Sequence, residues 1–364
     1  RGALLAGHDN TLDVLVRIEA PSAPSDAPTR PPLHLAVVVD RSGSMSGQPL
    51  VEARRCAEFL LDHLRPQDRL ALVAYDDTVQ TLVPAGHLRD TRETLRATIR
   101  QLDSGGSTDL HGGWLAGARA LAPYVTPDSV ARVILLSDGC ANHGLCDPQA
   151  IWNQCAEHAG SGIATSTYGL GQGFNEELMI GMARAGHGRS YYGQSAEDLM
   201  DPFREEFDLL SALCARRLQL EVRTVPGVKS TLLNDYVAAG EGSWWLPDLA
   251  FGSEAWAIVR LKVKAPELTA SRPATNGAGE VSGPMELVAV SVRYVGLDGE
   301  PRAIQPVALA LPVLPAGAFG AVSENDLVAR RVAELEAAQL QRKARLAALQ
   351  GDWHMVAALL RRAE

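Results

Sequence analysis

The pattern of hydrophobic and polar positions separates the start of the chain from its later parts. Residues 10–20 alternate apolar and polar side chains, which is the period-two pattern of a strand with one buried face. The next stretch, 21–32, combines several prolines with small polar residues and predicts a linker. A single strand cannot form a domain, so we expect the strand within the N-terminal segment 1–30 to pair with strands from elsewhere in the chain.

Between residues 31 and 214, short and solidly apolar runs alternate with helical patterns. A run that is apolar at nearly every position predicts a strand covered on both faces, as in the centre of a parallel sheet. Such runs occur at 33–39, 70–75, 133–136 and 163–170. Helical patterns occur at 49–64, 90–101, 110–122, 148–159, 175–185 and 196–212. The alternation predicts an α/β unit with a doubly wound, mostly parallel sheet.

Residues 215–315 return to strand patterns and predict an antiparallel β-sandwich. Alternating or apolar runs occur at 218–223, 257–263 and 287–294, and turn signals lie between them. We expect the early strand at 10–20 to complete this sandwich. The α/β unit would then be inserted between the first strand of the sandwich and the remainder, with its two ends close together.

The C-terminal segment 316–364 has a helix-forming composition with one apolar stripe, and Gly351-Asp352 predicts a break between two helices. This helical hairpin either packs on the sandwich or offers a docking surface, and the pattern alone leaves both possibilities open.

Composition narrows the classes of partner and the compartment. Hydrophobic residues make up 46% and charged residues 21% of the 364 residues, as in ordinary globular proteins. With 34 basic and 43 acidic residues the net charge is −9, which argues against nucleic-acid and membrane partners. The sequence contains neither a long apolar span nor a signal-peptide pattern, and its five cysteines are an odd number. We therefore expect a cytoplasmic protein with reduced thiols.

Three loops carry oxygen-bearing side chains at points where buried strands end or a helix begins. Asp40, Ser42 and Ser44 alternate directly after the first buried strand, and the glycines among them permit a sharp turn. Thr108 lies in a glycine-rich turn, and Asp138 comes after the run at 133–136. Because ligands bind at the carboxyl ends of parallel strands, these five oxygens predict a site for Mg²⁺ or Mn²⁺.

The three motifs resemble a known family of adhesion domains. Asp-x-Ser-x-Ser at 40–44, Gly-Gly-Ser-Thr-Asp at 105–109 and Ser-Asp-Gly at 137–139 are similar to the metal-ion-dependent adhesion site (MIDAS) of von Willebrand factor A (VWA) domains. The resemblance covers 33–212. It implies that the serines and the threonine coordinate the metal directly, and that Asp40 and Asp138 act directly or through water. It also implies one short antiparallel edge strand near 78–83.

The resemblance further implies a function. The layout is similar to that of bacterial intracellular VWA proteins and, more distantly, of inter-alpha-trypsin-inhibitor heavy chains. We expect a non-catalytic protein-binding module in which Mg²⁺, or alternatively Mn²⁺ or Ca²⁺, accepts an Asp or Glu of a partner protein. The side chains expected to border that partner are Arg41, Met45, Asp109, Cys140, Asn142 and His143.

Two alternative functions remain open. The protein could be an accessory subunit that recruits substrates for an ATPase, kinase or protease. It could also be a metal-dependent hydrolase, although the sequence has no evident general base and no nucleophile or P-loop motif.

Simpler structural roles also compete for some of these residues. Ser44 or Ser46 would serve as a cap for the helix that begins near Pro49. A zinc site would need Cys140, His143, Cys146 and Cys155, but their spacing matches no usual zinc motif. A disulfide between Cys140 and Cys146 and plain packing thiols are the other possibilities for this loop.

Overall fold

The computed structural model describes residues 1–24, 30–139, 141–170, 175–193, 196–264, 284–349 and 351–363. The strands in these ranges are β1 (Leu4–Leu5), β2 (Asn10–Glu19), β3 (Leu33–Asp40), β4 (Arg69–Tyr75), β5 (Val79–His87), β6 (Val130–Ser137), β7 (Ile163–Leu170), β8 (His187–Gly193), β9 (Leu213–Thr224), β10 (Val228–Leu232), β11 (Ala238–Gly240), β12 (Ser243–Trp245), β13 (Leu249–Ala250), β14 (Glu254–Val263), β15 (Met285–Val295), β16 (Pro301–Leu311) and β17 (Val313–Leu314). The helices are α1 (Gln48–His63), α2 (Leu88–Arg100), α3 (Leu110–Leu121), α4 (Pro148–Gly160), α5 (Glu176–Ala185), α6 (Ala196–Ser211), α7 (Ala316–Gly320), α8 (Asp326–Leu349) and α9 (Trp353–Ala363).

The α/β unit is built on a six-stranded sheet in the order β5-β4-β3-β6-β7-β8. All neighbouring pairs in it are parallel except β4 with the edge strand β5, which is antiparallel. Helices α1, α2 and α6 cover one face and α3, α4 and α5 cover the other. Every residue of β3 and β6 is buried as a result. The predicted doubly wound sheet and its antiparallel edge are confirmed.

Two antiparallel sheets form the sandwich, one in the order β10-β14-β2 and the other in the order β11-β12-β9-β15-β16. The early strand β2 pairs with β14 along its whole length, from Asn10 opposite Val263 to Glu19 opposite Glu254. Leu218, Leu220 and Leu261 are among the fully buried side chains of the cluster between the sheets. The expected pairing of the first strand with the sandwich is therefore confirmed.

The two ends of the inserted unit lie side by side. The backbone N–H of Phe251 donates to the carbonyl of Ala212, which comes directly after α6, at 2.9 Å. The next N–H, that of Gly252, donates to Pro21 at the start of the linker, also at 2.9 Å. One turn of the sandwich thus holds both connections, which is how a domain can be inserted without separating the strands on either side.

The C-terminal segment is a helical pair, as predicted. Helix α8 lies on the sandwich: Glu336 pairs with Arg260 at 3.0 Å, and the guanidinium of Arg331 lies 4.5 Å from the ring centre of Trp256. The last helix, α9, leaves Trp353 69% exposed. Within the described part of the chain, no helix combines the length and the apolarity needed to cross a membrane.

At the junction of the sheet and the sandwich, His187 gives a pH-dependent prediction. Its φ is +54°, it lies beside the Trp245 ring, and burial lowers its pKa, with Arg217 and Arg132 acting in the same direction and Asp248 opposing them. The folded state therefore keeps this imidazole neutral at a pH where the unfolded chain, with a pKa near 6.5, takes up a proton. Stability from this residue is present above pH 6.5 and declines as the pH falls below it.

We expect His187→Asn, which tolerates the positive φ, to show a smaller fall in melting temperature between pH 7.5 and 5.5 than the wild type. Thermal unfolding at the two pH values measures the difference. The other histidines with a lowered pKa, the buried His34 and the half-buried His158, are unchanged in both proteins, so their contributions cancel. Equal acid-induced shifts in the two proteins would show that His187 does not titrate on unfolding.

Candidate metal-binding site

The three predicted loops meet at one edge of the central sheet. Strand β3 ends at Asp40 and its neighbour β6 ends at Ser137, and these strands are parallel, so their carboxyl ends are adjacent. The loop before α3 is tied to the first loop through its backbone. The N–H of Gly43 donates to Gly106 at 3.1 Å, and the N–H of Gly105 donates to Arg41 at 2.7 Å.

Asp40 is fully buried and held in one orientation by hydrogen bonds. Its Oδ1 accepts the backbone N–H of Ser42 at 2.8 Å, and its Oδ2 accepts the hydroxyls of Ser137 at 2.6 Å and Tyr75 at 3.2 Å. Burial raises the pKa of Asp40, the nearby charge of Asp138 adds to the rise, and the hydrogen bonds oppose it. The site therefore contains a desolvated carboxylate that hydrogen bonds hold in place, and no cationic side chain within the described part of the chain forms an ion pair with it.

The hydroxyls of Ser42 and Ser44 point toward each other. Their Oγ atoms are 3.1 Å apart, because a 3-10 turn at Gly43–Met45 places the two residues on the same side of the loop. Neighbouring ligands of an octahedral cation with bonds of 2.0–2.1 Å lie about 2.9 Å apart. The spacing of these two oxygens therefore fits adjacent ligands of a small hard cation.

The capping role that competed for Ser44 or Ser46 is wrong for α1, the helix that begins near Pro49. The 3-10 turn has no side-chain cap, and the N-cap of α1 is Gly47, which has no side chain to offer. The hydroxyls of Ser42 and Ser44 are therefore not used to satisfy a helix terminus.

The other two predicted ligands, Thr108 and Asp138, are also buried, and their loops are fixed through the backbone. The N–H of Thr108 donates to Oδ1 of Asn142 at 2.8 Å, and its carbonyl accepts the N–H groups of Asn142 at 3.2 Å and His143 at 3.1 Å. The carbonyl of Asp138 accepts the N–H of Asn175, the N-cap residue of α5, at 3.3 Å.

The residues expected to border a partner have different environments. The guanidinium of Arg41 pairs with Asp76 at 3.0 Å, and Asp109 caps α3 by accepting the N–H of Gly112 at 2.9 Å. Asn142 and His143 are exposed, and Cys140 lies outside the described residues.

For Met45 the expectation is wrong. Its side chain is fully buried in the core beneath the loop, where it belongs to the apolar cluster between the sheet and α1. The 3-10 turn leaves Ser44 exposed and points Met45 inward, so Met45 cannot contact a partner.

The zinc alternative finds no support in the described residues. Cys155 is buried in α4, where burial raises the pKa of its thiol, whereas Cys146 is an exposed free thiol. Among the residues that the structure covers, no three His, Cys, Asp or Glu side chains form a group suited to a metal. The proposed disulfide involves Cys140, which is outside those residues.

Two residues that hold Asp40 were not predicted. Tyr75 ends β4, and the parallel pairing of β3 with β4 sets it directly opposite Asp40. Ser137 is the first residue of the Ser-Asp-Gly motif, but it faces Asp40 and also accepts the N–H of Gly139 at 2.9 Å. A polar residue at the carboxyl end of a strand beside the Asp40 strand was the available signal.

The fold and the matching motifs define a VWA domain: residues 34–205 match the von Willebrand factor type A domain family. This part of the chain thus matches the VWA domain family, as its motifs indicated. A solved structure described as von Willebrand factor type A from Catenulispora acidiphila superimposes with a TM-score of 0.75. The two chains are 16% identical, and the superposition covers 99% of this chain and 82% of the other. The similarity in fold therefore extends beyond the VWA domain.

Relatives in sequence match the same region. An uncharacterized protein of Synechocystis sp. is 27% identical over 211 residues, which are 58% of this chain and 49% of that protein. Human inter-alpha-trypsin inhibitor heavy chain H3 is 29% identical over 187 residues, 48% of this chain and 21% of its own length. The chain therefore spans half or less of these relatives.

Proposed function

We propose that this protein is a Mg²⁺-dependent protein-binding module in which a metal at the VWA loops accepts a carboxylate from a partner protein. The observation that carries the proposal is the pair of hydroxyls on Ser42 and Ser44, 3.1 Å apart and not used as caps, beside the buried carboxylate of Asp40. VWA domains are commonly metal-dependent interaction modules, so membership of this family supports the same function.

The residues present fit such a metal. The hydroxyls of Ser42, Ser44 and Thr108 would be direct ligands, and Asp40 and Asp138 would supply the negative charge that balances a divalent cation. When bound, the metal would supply a Lewis-acidic position for an Asp or Glu oxygen of the partner. Hydroxyl and carboxylate oxygens favour Mg²⁺ or Mn²⁺, and Ca²⁺ is a weaker alternative.

Several other features agree with a module of this kind. Cys56, Cys146, Cys155 and Cys214 are free thiols, which supports the proposed cytoplasmic location. We propose a partner that is neither nucleic acid nor membrane, in keeping with the net charge of −9. We also propose that the module is not itself an enzyme, because the side chains around Asp40 are hydrogen-bonding hydroxyls without a nearby general base among those described.

Metal binding can be tested with a matched pair of serine variants. We expect Ser42→Ala to weaken Mn²⁺ binding at least about tenfold, because it removes a direct ligand and the loss of residues that only orient a ligand already costs about 10–100-fold. Ser46→Ala, in the same loop, removes an exposed hydroxyl and should bind Mn²⁺ like the wild type. Isothermal titration calorimetry measures both. Equal affinities for the two variants, or no saturable binding by the wild type, would contradict the proposed metal site.

The partner is sought by affinity capture with the same pair of variants. A carboxylate-dependent partner should be retained by the wild type and Ser46→Ala in Mg²⁺, and lost in EDTA or with Ser42→Ala. A captured ATPase, kinase or protease with these properties would favour the accessory-subunit function. Capture that persists in EDTA would contradict recognition through the metal.

A further inference from the structure

Asn142 lies on the loop that comes after Asp138, and it holds the backbone of Thr108 on both sides. Its Oδ1 accepts the N–H of Thr108 at 2.8 Å, while its own N–H and that of His143 donate to the carbonyl of Thr108 at 3.2 and 3.1 Å. One side chain and two backbone groups thus fix both polar atoms of the Thr108 main chain.

The contact joins two loops that have no regular structure of their own. Thr108 is 2% exposed, although it lies in the irregular stretch between α2 and α3. The loop of Asn142 packs closely on this stretch: Gly144 has a φ of +69°, and a Cβ there would lie 2.5 Å from Oδ1 of Asp109. Only a glycine allows this approach without displacing the Asp109 side chain.

The contact of Asn142 with Thr108 is one of several hydrogen bonds that join the three loops to one another. The first loop is joined to the Thr108 loop by the bond from Gly43 to Gly106, and to the third loop by the bond from Ser137 to Asp40. The contact of Asn142 with Thr108 joins the Thr108 loop to the loop that comes after Asp138, so each of the three loops is joined to the other two. The Thr108 stretch is also held on its other side, where the N–H of Asp109 donates to the carbonyl of Asp76 at 2.7 Å.

We infer that Asn142 is a positioning residue of the metal site, which holds the Thr108 hydroxyl in place, and not primarily a contact for the partner. This inference rests on the proposed function, because it assigns Thr108 as a metal ligand. The side-chain oxygen does the positioning: it occupies the one backbone donor of Thr108, which would otherwise be buried without an acceptor.

The test compares three variants of the full chain. Asn142→Ala removes the acceptor, Asn142→Asp restores an oxygen in its place, and Asn153→Ala is a matched control. Asn153 is exposed on α4, and its Oδ1 accepts a hydrogen bond from Gln149 at 2.9 Å. Two quantities are measured for each protein: the Mn²⁺ dissociation constant by calorimetry, and the hydrogen-exchange rate of the Thr108 amide without metal.

We expect Asn142→Ala to weaken Mn²⁺ binding by about 10–100-fold, as for other residues that orient a ligand. We expect the same variant to speed exchange of the Thr108 amide at least about tenfold, since that amide loses its acceptor. Asn142→Asp should recover both quantities, and Asn153→Ala should match the wild type in both. The exchange rate is measured without metal and reports on the hydrogen bond of the Thr108 amide. Its recovery in Asn142→Asp therefore does not depend on attraction between the added negative charge and the metal.

Different results overturn the inference and the function on which it rests. Faster exchange with unchanged Mn²⁺ affinity in Asn142→Ala would overturn the positioning role while leaving the metal site intact. Unchanged exchange of the Thr108 amide in Asn142→Ala would show that the Asn142 side chain does not hold the Thr108 backbone. A wild type that fails to bind Mn²⁺ would overturn the proposed metal site, and the exchange rates would still show whether Asn142 fixes Thr108.

Discussion

Replacing Glu206 by alanine is expected to lower the free energy of unfolding by about 3–5 kcal/mol. Glu206 lies on α6 with 2% of its surface exposed, and it pairs with Arg132 of β6. Its carboxylate also accepts the hydroxyls of Ser166 at 2.5 Å and Tyr168 at 2.6 Å. Removing it leaves a buried guanidinium and two buried hydroxyls without their acceptor, which is why the expected loss is large. Urea unfolding at pH 7 measures it.

Two further variants test this explanation. Glu205→Ala removes the neighbouring exposed carboxylate and should change stability by less than about 0.5 kcal/mol. The double variant Arg132→Met with Glu206→Leu removes both charges together and should recover much of the loss, because no buried charge is left unpaired. Asp248, 3.6 Å from Arg132, offsets part of the loss in Glu206→Ala and favours the lower end of the range. A loss below about 1 kcal/mol would show that Asp248 or water replaces Glu206.

This ion pair joins the central sheet to the helix that leads into the sandwich. Arg132 belongs to β6, the strand whose carboxyl end leads to Asp138, and Glu206 belongs to the last helix before the chain returns to the sandwich. The pair therefore anchors the amino-terminal half of β6 to α6, at the opposite end of the strand from Asp138.

Within the α/β unit, the strands that apolar runs predicted are those buried on both faces. Each residue of β3 and β6 is buried, so burial requires an uninterrupted apolar run in the sequence. Strand β8 was not predicted, since it lies at the sheet edge and contains polar residues and two glycines. Strand β16 is another edge strand, and nearly all of its residues are exposed. Where a strand is not covered, side-chain polarity carries little information about it.

The candidate site likewise contains residues that the sequence predicts and residues that it does not predict. The oxygen-bearing motifs were visible because metal ligands restrict residue type and spacing. The hydroxyls of Tyr75 and Ser137 were missed, since their role depends on which strands are neighbours and in which register. Met45 was expected to border a partner, but a 3-10 turn directs its side chain inward. Alternation along a loop does not determine orientation as it does along a strand.

Exchanging Asp40 for asparagine is expected to separate metal binding from folding. The carboxylate is fully buried, and burial raises its pKa, so its negative charge costs the metal-free protein stability at neutral pH. Asparagine has nearly the same shape, accepts the N–H of Ser42 with its oxygen, and can donate to the hydroxyls of Ser137 and Tyr75 with its amide. In EDTA the variant should therefore melt at the same temperature as the wild type or higher.

Mg²⁺ should reverse the order of the two melting temperatures. A ligand at 100 times its dissociation constant stabilises the folded state by about 2.7 kcal/mol, so Mg²⁺ should raise the melting temperature of the wild type by several degrees. The Asp40→Asn protein lacks the charge that attracts the cation, and its melting temperature should not respond at the same concentration. Thermal unfolding of both proteins, with EDTA and with Mg²⁺, gives all four values. A melting temperature of Asp40→Asn well below that of the wild type in EDTA would show that the carboxylate stabilises the fold. If Mg²⁺ stabilises both proteins equally, the metal binds elsewhere.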